Sequence, residues 1–129
     1  HQSVDINKAN DNGVTPFYIA SQKGNHEIIK MLMENHRVDV NKARIEGVTP
    51  FYIACQKGNI EAVKLMISDG RVDITSSWKD RNWSPLMAAS FKLQLQVIKI
   101  ILSFGRKVDI EQKSTKDISI YKEGFTAID

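Results

Sequence analysis

The stretch Gly13-Val14-Thr15-Pro16-Phe17-Tyr18-Ile19-Ala20-Ser21-Gln22-Lys23-Gly24-Asn25 returns from Gly47 to Asn59, with Cys55 in place of Ser21 as its single change. The period is 34 residues, counted from Gly13 to Gly47. A third, diverged copy, Asn82-Trp83-Ser84-Pro85-Leu86-Met87-Ala88-Ala89-Ser90-Phe91-Lys92, follows at an offset of 35 from Thr49 to Ser84. A fourth opens at Gly124-Phe125-Thr126-Ala127-Ile128, where the 42 residues from Ser84 to Thr126 imply an insertion. Such a period constrains the fold more than any other feature. Each unit buries its apolar face only against its neighbours, so the chain is a short linear stack without one central core.

Every unit has the same physical grammar. Thr15, Thr49 and Ser84 have the side chains that cap a helix, and Pro16, Pro50 and Pro85 suit the first helical position, where no N–H partner is needed. Gly24 and Gly58 tolerate the left-handed backbone that ends such a helix. Second helices are predicted over Glu27–Met33, Glu61–Ile67 and Gln96–Leu102, with apolar residues at i, i+3 and i+4 and Lys30, Lys64 and Lys99 on the outer side. The polar stretches Arg37–Asn41, Arg71–Thr75 and Lys107–Glu111 are then expected to be extended connecting hairpins.

A unit of this length with Gly-x-Thr-Pro, two short helices and Val38-Asp39-Val40-Asn41 resembles the ankyrin repeat over roughly residues 4 to 129. The resemblance implies an all-α solenoid: stacked antiparallel helix pairs with projecting β-hairpin fingers. It divides the single domain, 1–129, into repeats at 4–37, 38–71 and 72–106 and a partial fourth at 107–129 with an elongated hairpin. Tyr18 and Tyr52 stand where the family's histidine normally ties neighbouring repeats together. Leu93 occupies the turn position of Gly24 and Gly58, so repeat three is expected to turn differently. His36 stands where other copies have Gly70 and Gly105, a position expected to take positive φ. Neither end carries a complete polar cap, and the chain is expected to be a segment of a longer array or multidomain protein.

Composition narrows the function. Lys and Arg total 18 against 15 Asp and Glu, a formal net charge of +3, which is too small and too dispersed for a polybasic segment. One cysteine, Cys55, allows no internal disulfide and favours an intracellular compartment, cytoplasmic or nuclear. Charged residues interrupt every apolar run before it reaches the length of a membrane span. His1, His26 and His36 fall at unrelated repeat positions, and Asp39, Asp73 and Asp109 lie a unit apart as hairpin residues with local hydrogen bonds. The glycines pair at repeat spacing and form no phosphate cradle. No catalytic constellation, cofactor or metal site is expected.

The resemblance implies a non-catalytic scaffold that binds a protein or peptide through its concave face, made by finger tips and first helices. By position that face includes Asp11, Asn12, Val14, Gln22 and Lys23 from repeat one, and Ile45, Glu46, Val48, Gln56 and Lys57 from repeat two. Repeat three adds Trp78, Asp80, Arg81, Trp83, Phe91 and Lys92, and the fourth Lys122, Glu123 and Phe125. Both tryptophans fall in repeat three with Phe91 and Arg81, so the binding centre is expected there, unless Trp78 and Trp83 pack against one another or the next repeat. Lys23, Lys57 and Lys92 place one positive charge per repeat on one edge and suit an acidic partner. Nucleic-acid binding through Arg81, Lys92, Trp78 and Trp83 is the alternative, weakened by Asp80 and Glu123. A monomer is expected, with the uncapped ends as the place for self-association.

Overall fold

The computed structural model describes residues 4–76, 78, 79 and 82–112, with residues 105–112 as helical backbone only. Among them are six helices: α1 (Pro16–Lys23), α2 (His26–Glu34), α3 (Pro50–Lys57), α4 (Ile60–Ile67), α5 (Pro85–Phe91) and α6 (Leu95–Gln112). Thr15, Thr49 and Ser84 start α1, α3 and α5. Their hydroxyl oxygens accept from the N–H of Tyr18, Tyr52 and Met87 at 3.1, 3.0 and 3.2 Å, and proline follows each cap. Gly24 and Gly58 end α1 and α3 at φ 73° and 72°.

The first helices form one row, α3 packing between α1 and α5, while α4 packs between α2 and α6 in a second. Phe17, Ile29, Phe51, Val63, Met66, Val97 and Ile101 fill the space between the rows. Lys30, Lys64 and Lys99 remain exposed, as the helical period requires.

Side-chain amides lock adjacent repeats. Asn7 donates through Nδ2 to the carbonyl of Arg37 at 2.9 Å and accepts at Oδ1 from the N–H of Asp39 at 2.7 Å. Asn41 does the same one unit later, to Arg71 at 2.8 Å and from Asp73 at 2.7 Å. A second ladder runs through the helix turns: Asn59 Nδ2 donates to the carbonyls of Ser21 and Gln22, and Gln94 Nε2 to that of Gln56. Each bond serves a carbonyl at the end of a preceding first helix, where the intrahelical partner has run out.

Four sequence expectations are corrected. The connectors Arg37–Asn41 and Arg71–Thr75 are not extended hairpins; they are successive tight turns, and the one strand-like pairing among the described residues is the bridge between Trp78 and Trp83. His36 and Gly70 do not take positive φ. The side chains of Asn35 and Asp69 build those turns, accepting from the N–H of Arg37 and of Arg71 at 2.9 Å each. Leu93 keeps the turn of the other copies, at φ 59°, because Gln94 N–H still donates to the carbonyl of Ala89 at 2.8 Å, as Asn59 N–H does to Ala54. Finally, α6 continues through Gly105 and residues 107–111 to Gln112, where an extended connector was expected. The position of Asn7 and Asn41 is taken in the third repeat by Thr75, which bonds to Asp73.

Candidate partner-binding face

Each repeat projects a finger from the entry to its first helix. Asn10 and Arg44 close the first two: their N–H groups donate to the carbonyls of Val14 and Val48, and Gly13 and Gly47 return bonds to Asn10 and Arg44. Gly13 takes φ +82°, and a Cβ there would lie 2.9 Å from the backbone nitrogen of Ile45. Glycine therefore lets one finger lie directly on the next, joined by Ile45 N–H to Asn12 O at 2.9 Å and Lys79 N–H to Glu46 O at 3.3 Å. The third finger spans Trp78 to Trp83, one residue longer than its counterparts, with Asn82 at φ 57° in the glycine's place. That extra residue accounts for the offset of 35.

Beneath the second and third fingers lies the tyrosine of the preceding repeat. Tyr18 and Tyr52 are buried. Tyr18 sits beside Arg44, and burial pushes its phenol up, partly opposed by that guanidinium. Arg44 is also paired with Glu46, Nε to Oε1 at 2.6 Å. Tyr52 meets Trp78 edge-on, with ring centroids 6.4 Å apart. The tyrosines thus connect neighbouring repeats through contacts different from those implied by the family's histidine.

Among the expected binding residues, the structure gathers some and separates others. Trp83 and Phe91 meet edge-on at 5.3 Å, and Lys92 Nζ lies 5.9 Å from the Phe91 ring centroid. Phe91 is 68% exposed, whereas both tryptophans are half-buried. Trp78 meets Tyr52, and both indoles pack against the buried cluster of Tyr18, Val48, Tyr52, Ile53 and Ala88, while Phe91 remains on the surface. Lys23 and Lys57 are exposed at the ends of α1 and α3, and Ile45 is exposed at its finger tip. Gln22 and Gln56 are half-buried, their carbonyls held by the turn ladder. Asp11 and Asn12 are exposed, Val14 is half-buried and Val48 is buried. Asp80, Arg81, Lys122, Glu123 and Phe125 lie outside the described residues.

The ladder residues Asn7, Asn41, Asn59 and Gln94 were not singled out from sequence, although Asn7 and Asn41 recur at the 34-residue spacing. Arg44 was also missed, because its counterparts Asn10 and Trp78 share no chemistry with it. Cys55 is wholly buried, and burial pushes its thiol up, away from a reactive thiolate. No three His, Cys, Asp or Glu side chains among the described residues converge to hold a metal ion. No helix among them is long and apolar enough to cross a membrane.

Two rows of stacked helices with fingers lying on one another define an α-solenoid repeat protein. The chain matches the family model described as ankyrin repeats (3 copies) over residues 1–77 and 34–114, and it belongs to that family. Ankyrin repeats are in general protein–protein interaction modules, typically without catalytic activity. No curated protein matches the chain.

Proposed function

We propose that the chain is an interaction scaffold whose concave face binds a protein or peptide, with the Trp83, Phe91 and Lys92 group as its centre. The observation that carries this reading is Phe91. It is a large apolar ring, 68% exposed, in a position occupied by Gln22 and Gln56 in the other repeats, and Trp83 holds it from one side. An exposed ring fixed in advance loses little rotamer freedom on binding, which is what makes aromatics effective anchors. Lys23, Lys57 and Lys92 extend the site along the stack as a row of exposed ammonium groups, which favours a partner with acidic residues beside an apolar anchor.

The test is selection from a random peptide library displayed against the intact chain. Acidic, anchor-bearing sequences whose affinity falls at least tenfold in Phe91→Ala, and whose association slows with added salt, support the reading. Binders unaffected by Phe91→Ala would place the site elsewhere.

A further inference from the structure

Lys23, Lys57 and Lys92 stand at equivalent places at the ends of α1, α3 and α5, and all three are exposed. Among the described residues none of them has an ion pair, whereas Lys64 on the outer row lies 3.8 Å from Glu61. A lysine at a helix end commonly serves the last carbonyls, whose partial negative charge attracts it. Here those carbonyls have other donors: Asn59 serves Ser21 and Gln22, and Gln94 serves Gln56. The same bonds tie the residue before Lys23 and the residue before Lys57 to the following repeat, so these ammonium groups rise from turns held in register. Gln22, Gln56 and Phe91 precede the lysines as a second row. The ladder takes the backbone carbonyls of the two glutamines and leaves their side-chain amides open.

Helices packed side by side, as α1, α3 and α5 are, stand about 8–10 Å apart, which sets the step of both rows. A polyproline II chain has about three residues per turn and advances about 9 Å in that turn, so every third side chain falls on one edge at the same step. A β-strand instead turns residues i and i+3 to opposite faces. An α-helix covers a similar distance in about seven residues, but its backbone groups bond internally and offer nothing to Gln22 and Gln56. The polyproline II backbone has no internal hydrogen bonds, and its polar groups are open to both glutamines.

We infer that the bound segment of the partner is a polyproline II stretch with acidic residues at i, i+3 and i+6, one for each of Lys23, Lys57 and Lys92. The inference rests on the proposed role of the Phe91 group and gives that group its ligand: a proline ring, packed on the exposed Phe91 ring as prolines pack in aromatic grooves. Such a segment is already extended before it binds, which limits the ordering cost.

The test uses the intact chain and synthetic proline-rich peptides of one composition, each with three glutamates, set two, three or four residues apart. Fluorescence anisotropy at low salt should give the three-residue spacing at least about fivefold tighter binding than either of the others. Lys57→Gln should weaken that peptide about threefold, and Lys64→Gln should leave it unchanged. Peptides that lose affinity in Phe91→Ala but bind alike at every spacing would overturn the polyproline II register and leave the Phe91-centred scaffold standing. So would tighter binding of a helical peptide with glutamates seven residues apart, equal losses in Lys57→Gln and Lys64→Gln, or no binding by any peptide of the series. Peptide binding untouched by Phe91→Ala would remove the reading on which the inference rests, and the inference with it.

Discussion

Tyr52 supports Trp78 edge-on, with the two rings inclined at 75°, so the first helix of one repeat carries the finger of the next. Phe91 has no such structural duty: it projects from the surface against Trp83. Trp78→Ala should therefore cost about 2 kcal/mol of stability, and Phe91→Ala less than about 0.5 kcal/mol. Urea unfolding of both variants checks this, and equal losses would contradict the division of roles between the aromatics.

The clamp at Asn41 joins two repeats through both halves of one amide. Asn41→Ala removes a donor and an acceptor and should cost about 1–2 kcal/mol. Asn41→Asp keeps the acceptor alone and should fall between Asn41→Ala and the parent. Thermal melts of the three chains give the order, which an indifferent surface residue would not produce.

Glycine and leucine at equivalent turns predict opposite responses. Gly24→Ala meets both the positive φ and the Asn59 side chain, and should destabilise by about 2 kcal/mol. Leu93→Gly relieves a left-handed leucine with no described clamp above it, and should stabilise by about 1 kcal/mol. Denaturant midpoints read both signs in one experiment.

Burial holds the Cys55 thiol protonated in the native chain well above its ordinary range. The unfolded thiol ionises near pH 8.5, so above that pH the unfolded state binds fewer protons and stability falls, by up to about 1.4 kcal/mol per pH unit from this group. Cys55→Ser, which restores the residue found at Ser21, should flatten the alkaline limb of the stability profile. The native thiol should also resist a disulfide reagent until the chain opens.

The stack was legible because its units are nearly copies: capping hydroxyl, proline and turn glycine recur in place, and the hydroxyls form the expected cap bonds. What escaped was decided by bonds and packing that residue type does not announce. Leucine disfavours a left-handed turn, yet the bond from Gln94 to Ala89 closes one at Leu93. Gly105 stood beyond the predicted end of the second helix at Leu102, but a glycine costs a helix only about 1 kcal/mol, and α6 passes through it. The binding face was legible as a list of positions. Its division into a supporting Trp78 and a presented Phe91 depended on neighbours one repeat away.

Because Asn7 holds Arg37 and Asp39 as Asn41 holds Arg71 and Asp73, the joints are interchangeable. Excising residues 16–49 would bring Thr15 to Pro50 and present Asn7 with an arginine and an aspartate again. A change of one whole unit thus keeps the asparagine clamps in step, with only the finger of Asn10 meeting a new neighbour in that of Trp78. A loss of three or four residues has no such refuge, since it throws every later joint out of step. Whole units are thus the steps in length that these clamps tolerate.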